Sequence, residues 1–273
     1  MKTIRSKDNP SYKEAVKLLR RKYRDQTGMF LIEGPRPVMD AIRSGESLQT
    51  VFFSEEALEK ELPAAAAAAE ELEGLCMKNG CRCAVLAEEL FSRISDTEHS
   101  QGVLAVACKP EHREIEAGSG VIILDRLQDP GNIGTIIRTA EAAGFGTLIA
   151  IKGTGDIYAP KTVRAAAGSL LRVNVFEGLE TGEAVRLCRE QGVRIVASDL
   201  EGSVEYTDAD LTGDMALVIG NEGSGVSDEI RQAADDKVKI PMEGTIESLN
   251  AAVAAGLLMY ESVRQRRAAG KVK

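Results

Sequence analysis

The chain has 273 residues, 44% of them hydrophobic and 28% charged, with eight prolines, a balance that excludes fibrous and disordered classes and fits a globular protein of about two domains. Its first residues, MKTIRSKDNPSYKEAVKLLRRKYRD, hold no apolar stretch of the kind a secretory signal needs, and no run of about 18 apolar residues occurs, so a cytoplasmic protein with no membrane contact is expected. The net charge of −8 is unevenly placed, with nine Lys or Arg against Asp8 and Glu14 in residues 1–24 and five against Glu261 in residues 261–273; these basic ends suit a local phosphate-binding surface and equally a solvated helix face with a frayed tail.

Residues 10–24 read as one helix begun by Pro10 and Ser11, with Ala15, Leu18, Leu19 and Tyr23 at helical spacing and a basic opposite face. MFLIEG, PRPVMDAIRSG, LQTVFFS, an Ala-rich helix ending near Gly74, CRCAVL, a short helix around EELFSRI, and GVLAVAC follow. Together they predict a small α/β domain over residues 1–108. KPEHREIEAGSG, residues 109–120, is polar and ends in Gly-Ser-Gly, which marks a linker. From 121 to 273 the runs VIILD, TLIAI, VRIVASD, MALVIGN and KVKIP are separated by helical segments. That alternation predicts an open, mostly parallel α/β sheet, and such folds bind ligands at the carboxyl ends of their strands. Cys76, Cys81, Cys83, Cys108 and Cys188 contain no CxxC pair, and only His99 and His112 offer imidazoles, so no metal is expected and the thiols read as reduced.

Three turns in the second half concentrate polar residues at strand ends. The first, LDRLQDPGNIGTIIRTAEAAG, offers Gly131 and Gly134, which lacks the second glycine of a dinucleotide fingerprint and is no P-loop. A nucleic-acid clamp of the GxxG type sits between two helices, whereas this turn follows a strand. It supplies a helix start with Asn132 as the expected cap and one apolar face from Ile133, Ile136, Ile137 and Ala140. Arg138 lies about 100° from Ile137, at the border of that face. The second turn, ALVIGNEGSGVSDEI, places Glu222 among three glycines, with Ser227 as a cap for DEIRQAA. A plain loop accounts for all of this except the glycine density. The third, VKIPMEGTIESLNAAVAAGLLMYE, puts Ser248 as the expected cap of a helix whose Leu249, Ala252, Val253, Gly256, Leu257 and Tyr260 form an apolar stripe with small residues. Asn250 stands in its first turn.

In order and spacing, DPGNIGTIIRTAEAAG, LVIGNEGSGV and IPMEGTIESLNAAVAAGLLMYE resemble the SpoU, or TrmH, class of SPOUT RNA methyltransferases. RDQTGMFLIEGPRPVMDAI is similar to the opening of the ribosomal-protein-like substrate-binding domain often fused to them. The resemblance implies transfer of a methyl group from S-adenosylmethionine to a ribose 2'-hydroxyl, with ribosomal RNA favoured over transfer RNA. It implies a C-terminal trefoil knot in the second domain and a homodimer whose chains complete each other's sites. Asn132, Arg138, Glu222, Ser248 and Asn250 would form the catalytic set, with Arg138 activating the hydroxyl. Ser198, Gly220, Ile240, Met242 and Leu249 would wrap the cofactor, and no metal is required. A non-catalytic RNA-binding protein of the same fold is the alternative, and a nicotinamide oxidoreductase suffers from the failed fingerprint.

Overall fold

The computed structural model describes residues 1–59, 63–97, 99–111, 114–116, 118–200 and 204–270, without the side chains of 63–67. His112, one of the two imidazoles considered above, lies outside the described residues, as do Lys271 and Lys273 of the basic C-terminal end. In chain order the elements are β1 (Lys2–Ile4), α1 (Pro10–Lys17), α2 (Arg21–Thr27), β2 (Met29–Glu33), α3 (Pro35–Arg43), β3 (Leu48–Ser54), α4 (Glu55–Glu59), α5 (Pro63–Asn79), β4 (Arg82–Leu86), α6 (Glu88–Phe91) and β5 (Val103–Cys108). They continue with β6 (Val121–Asp125), α7 (Pro130–Ala142), β7 (Thr147–Ile151), α8 (Pro160–Ala165), β8 (Asn174–Leu179), α9 (Thr181–Glu190), β9 (Arg194–Ser198), β10 (Val204–Glu205), β11 (Met215–Gly220), α10 (Asp228–Ala233), β12 (Asp236–Lys239) and α11 (Ala251–Ala268).

Two compact units result, Met1–Glu111 with Tyr158–Leu171, and His112–Ile157 with Arg172–Lys273. A boundary read along the chain is continuous; that of the folded chain is not. Residues 158–171 join the first unit because Tyr158 packs on Phe30 with ring centroids 4.9 Å apart and lies 4.4 Å beneath the Lys109 ammonium. Arg164 adds an ion pair with Asp96 at 2.6 Å.

The first unit holds a five-stranded sheet in the order β1-β4-β3-β5-β2, with β5 antiparallel to both β3 and β2. Its core gathers Tyr12, Leu18, Phe52, Leu86 and Phe91. The single helix predicted over 10–24 is two, because the chain leaves helical geometry at Arg20 (φ −103°, ψ 129°). Arg24, only 3% exposed, turns inward and its Nη1 donates to the Leu18 carbonyl that the break leaves unpaired. The basic segment is therefore folded into the sheet and core rather than extended as an arm. The Ala-rich helix passes Gly74 and ends at Asn79, where Gly80 takes φ +70°; burial of Leu72 and Cys76 holds the extra turn.

The second unit is a seven-stranded sheet in the order β10-β12-β9-β11-β6-β7-β8, every pair parallel. Strands of such a sheet are buried on both faces, which is why VIILD and TLIAI read as unbroken apolar runs. Each of Ile123, Ile149, Ile195 and Val218 contributes roughly 1.5–3 kcal/mol by leaving water. The edge strands β8 and β10 carry no such signal and were not expected from sequence. The chain proceeds from β6 outward to β7 and β8, and returns to build β9, β11 and β12 on the other side. The reversal falls between β6 and β11, where Asp125 pairs in register with Gly220. A crevice opens at such a switch point.

Candidate functional site

Asp129, not Asn132, caps α7. Pro130 suits the first helical position with its fixed φ and missing donor, so the helix begins earlier than the glycines suggest. The Asp129 carboxylate accepts the Asn132 N–H at 2.8 Å. This shift frees the Asn132 side chain for the crevice.

β11 ends at Gly220 and the glycine loop folds straight back on it. A Cβ on Gly220 would sit 2.3 Å from both the Gly225 carbonyl carbon and the Val226 nitrogen, so only glycine fits there. Asn221 holds the loop: its Oδ1 accepts the N–H groups of Gly223 and Ser224 at 3.0 and 3.1 Å, and its Nδ2 donates to the Arg126 carbonyl at 2.9 Å. Gly220→Ala is expected to lower the melting temperature by the equivalent of about 1–3 kcal/mol. Thermal unfolding unchanged from the wild type would contradict that reading of the fold-back.

Glu222 then reaches across to the start of α7. Its carboxylate accepts the backbone N–H groups of Gln128 and Asp129 and the Asn132 Nδ2, each at 3.2 Å. Partial burial pushes its pKa up, but its own N–H, that of Asp129, the Asn132 amide and the Gln128 N–H outweigh it and hold the group below the ordinary value of 4.5. The result is an ionised clasp between the first and second turns.

The third turn joins the same network. Asn250, rather than Ser248, caps α11, its Oδ1 accepting from the N–H groups of Ala252 and Val253 at 2.9 and 3.3 Å. Its Nδ2 donates to Asn132 Oδ1 at 2.9 Å. A carboxylate can only accept, so Glu222 orients the Asn132 amide, Asn132 orients that of Asn250, and Asn250 turns its oxygen onto the helix end. Glu222, Asn132 and Asn250, scattered over more than a hundred residues, become one polar relay.

Beside the relay lies a cavity of about 480 Å³, within the range of small-molecule sites. Ser198, Gly220, Ile240, Met242 and Leu249 all line it, as do Glu222, Ser248 and Asn250. Arg138 does not. It is exposed on α7 and forms no ion pair among the described residues. Three further residues, Asp125, Arg126 and Asn221, are not singled out by the sequence. Asp125, fully buried, accepts the Ser227 N–H at 2.6 Å and the Arg126 Nε at 3.0 Å, tying β6 to the second turn. Arg126 adopts φ +60°, uncommon outside glycine. Asn221 had a visible signal, an Asn opening a Gly-Ser turn; Asp125 had none beyond an acid ending an apolar strand. Among the described residues no cluster of His, Cys, Asp or Glu is arranged to hold a metal ion, and no helix is long and apolar enough to cross a membrane.

Comparison with known proteins adds independent findings. Residues 119–260 match the SpoU rRNA Methylase family, and residues 9–105 match the MRM3-like substrate binding domain. The chain is similar to the 23S rRNA (guanosine(2553)-2'-O)-methyltransferase RlmP of Bacillus subtilis (strain 168), 33% identical over 260 residues covering 95% of this chain and 98% of that protein. It is also similar to a 23S rRNA (uridine(2479)-2'-O)-methyltransferase of Streptomyces viridochromogenes, 34% identical over 90% of this chain and 86% of the other. Among solved structures, an AdoMet-bound rRNA methyltransferase from Sinorhizobium meliloti superposes with a TM-score of 0.85 at 31% identity, covering 96% of this chain and 97% of that one.

Proposed function

This chain belongs to the SpoU rRNA methylase family, and on that premise we propose that it is an S-adenosylmethionine-dependent methyltransferase acting on a ribose 2'-hydroxyl of ribosomal RNA. One observation carries the reading: three turns far apart in sequence are tied together by hydrogen bonds of Glu222, Asn132 and Asn250, beside a cavity that the second and third turns line together with the carboxyl ends of β9, β11 and β12. Its walls fit the cofactor in kind. Leu200, Ile219, Val238, Ile240, Met242 and Leu249 offer an apolar slot for a purine, while backbone groups of the Gly220 loop and of the segment before α11 can meet the polar atoms. When bound, the sulfonium supplies an electrophilic methyl group, and the protein's work is to orient and to activate the hydroxyl.

In this reading Arg138 lowers the hydroxyl's pKa by hydrogen bonding and holds the neighbouring phosphate. A guanidinium, with a pKa of about 12.5 to 13.8, is too costly to deprotonate as a base. Glu222 is a weak base, since its lone pairs are committed to four nitrogens or more; the proton goes to phosphate, water or another nearby group. Asn132, Ser248 and Asn250 position the ribose. Because Arg138 stands outside its own chain's cavity, we place it in the site of a second copy. The stripe along α11 supports such a homodimer: Ala252, Ala255, Leu258 and Met259 are buried, whereas Val253, Leu257 and Tyr260 remain 52%, 40% and 52% exposed. An apolar row left in water at helical spacing suits a partner helix. The reading carries with it the trefoil knot expected of the fold, and a cytoplasmic location where ribosomal RNA is found. Transfer of labelled methyl from S-adenosylmethionine to 23S rRNA, mapped to a single 2'-O position, is the expected result; no transfer to ribosomal RNA from cells lacking the protein would end the proposal.

RNA contact is assigned to the first unit. Lys7, Tyr12, Lys13, Val16, Lys17 and Arg93 line a groove of about 460 Å³, four cations around an apolar floor that suits an unstacked base between phosphates. Lys7 and Arg93 pair with Glu89, and Lys13 with Asp8, all largely exposed. Such pairs are worth little and exchange readily for phosphate. Truncation of the basic segment would delete β1 and the core residues Tyr12, Ala15 and Leu18, so substitution is the cleaner test. Replacing Lys13, Lys17 and Arg93 together by Ala is expected to weaken RNA binding and reduce the slope of log K against log salt by roughly 0.7 to 0.9 per lost phosphate contact. An unchanged slope would remove the groove from the RNA path while leaving methyl transfer untouched.

A further inference from the structure

We propose that Cys76, Cys81 and Cys83 form a peroxide-sensitive thiol site in which Cys76 and Cys81 are joined as a reversible disulfide. α5 ends at Asn79, and Gly80 follows in the left-handed conformation. The Cys81 N–H donates to the Cys76 carbonyl at 2.9 Å. This is the six-to-one bond of a helix stop, which sets the residues at its two ends side by side, usually in apolar contact. Here the contact is made by two thiols. Cys83 follows two residues after Cys81, so it projects to the same side as the chain enters β4, and the Cys76 thiol is within hydrogen-bonding reach of both.

The accessibilities differ in the way such a site requires. Cys76 is buried, while Cys81 and Cys83 are partly open. The hydrogen bond from Cys76 holds Cys81 below the ordinary thiol value against the opposing effect of burial, helped by the Val51 N–H and the Arg82 charge. Cys188 is the contrast: alone in the second unit's core, its thiol is pushed up to about 11 by burial. A partly open thiol held toward its thiolate is a nucleophile, and the chemistry open to it is with an electrophile. The Cys81 thiolate attacks one oxygen of hydrogen peroxide, the O–O bond breaks, hydroxide leaves and takes up a proton, and a sulfenic acid remains. Cys76 sulfur then attacks the Cys81 sulfur, the S–O bond breaks, and the second water leaves with the Cys76 proton. Two thiols lose two electrons and one peroxide becomes two waters.

The site is independent of methyl transfer, and its test needs neither RNA nor cofactor. Lys78 and Arg82 divide the three cysteines among three tryptic peptides, so pairings are distinguishable by mass. Full-length protein treated with stoichiometric hydrogen peroxide, alkylated and digested is expected to show the Cys76 and Cys81 peptides linked with loss of two hydrogens. Cys108 and Cys188 should remain alkylated, and dithiothreitol should restore both free thiols. Cys76→Ser should instead yield a dimedone adduct at Cys81. Because Cys76 is a core position, Cys81→Ser at the open position serves as the second variant, and in it Cys76 should stay unlinked to Cys83. Linkage of Cys76 to Cys83 in the wild type, or oxidation of Cys108 as fast as Cys81, would overturn the assignment.

Discussion

Arg138→Ala is expected to leave S-adenosylmethionine binding within about twofold of wild type while lowering kcat by roughly 10²- to 10³-fold, the usual consequence of removing one charge-stabilising donor. The reasoning is positional. Arg138 is exposed on α7 and absent from the lining of its own chain's cavity, so its loss cannot disturb the pocket from within. Nor does it anchor the helix, whose buried residues are Ile133, Gly134, Ile136, Ile137 and Ala140. If Arg138 serves a partner's site, co-assembly of Arg138→Ala chains with chains altered only at Glu222 should recover activity that neither homodimer shows. One composite site then has an intact pocket from the first chain and an intact arginine from the second. Wild-type turnover by Arg138→Ala alone would remove the role altogether, and failure of the mixture to recover would return it to its own chain.

Glu222→Gln is the second large effect, and its cause is polarity rather than size. The carboxylate receives the Gln128 and Asp129 N–H groups and the Asn132 Nδ2. A glutamine must present an NH₂ to one of these donors. Flipping the Asn132 amide to meet it would turn its own NH₂ toward Asn250 Nδ2. Asn250 cannot flip in response, because its oxygen caps α11. Whichever way the glutamine turns, at least one donor is left facing an NH₂, the Gln128 N–H if its oxygen stays on Asp129 and Asn132, at about 1–2 kcal/mol near the surface, and the cavity wall beside it shifts. Misplacement of this kind is expected to cost about 100-fold in kcat/KM, with a modest fall in melting temperature. Asn132→Asp, which can accept only, should conflict with Glu222 more severely. Equal activity of Glu222→Gln and wild type would mean the relay has no directional role.

The same clasp has a pH dependence. Glu222 is held below the ordinary 4.5 in the folded chain, so the stability it contributes is present above that unfolded value. It is lost as pH falls through the lower folded value. Acid unfolding of wild type and Glu222→Gln should therefore converge at low pH and separate toward neutrality, which thermal melts from pH 3 to 7 would read.

Much of the site was legible because its residues cluster around turns with strong local signals. The glycine density from Gly220 to Gly225 marks more than a plain loop, and the turn of Gly131 and Gly134 marks a helix start. The cap positions were misread by a few residues. Asn132 and Ser248 are good caps by type, but Asp129 precedes a proline and Asn250 stands at the true start of α11; side-chain preference is local, whereas the helix boundary depends on what the first turn packs against. Asp125 could not be singled out, since its worth lies in the Ser227 N–H a hundred residues later.

Periodicity and turn chemistry depend on neighbours a few residues apart, so the amino-acid order alone determined the alternation of strands and helices, the parallel sheet and the three turns. What passes through space was left to the tertiary structure: the inward turn of Arg24, the docking of 158–171 on the first unit, and the pairing of Asp125 with Gly220. The direction of the Glu222–Asn132–Asn250 relay belongs there too. A hydrogen bond has a sense only once donor and acceptor meet, and no spacing along the chain records which of two distant amides will be turned.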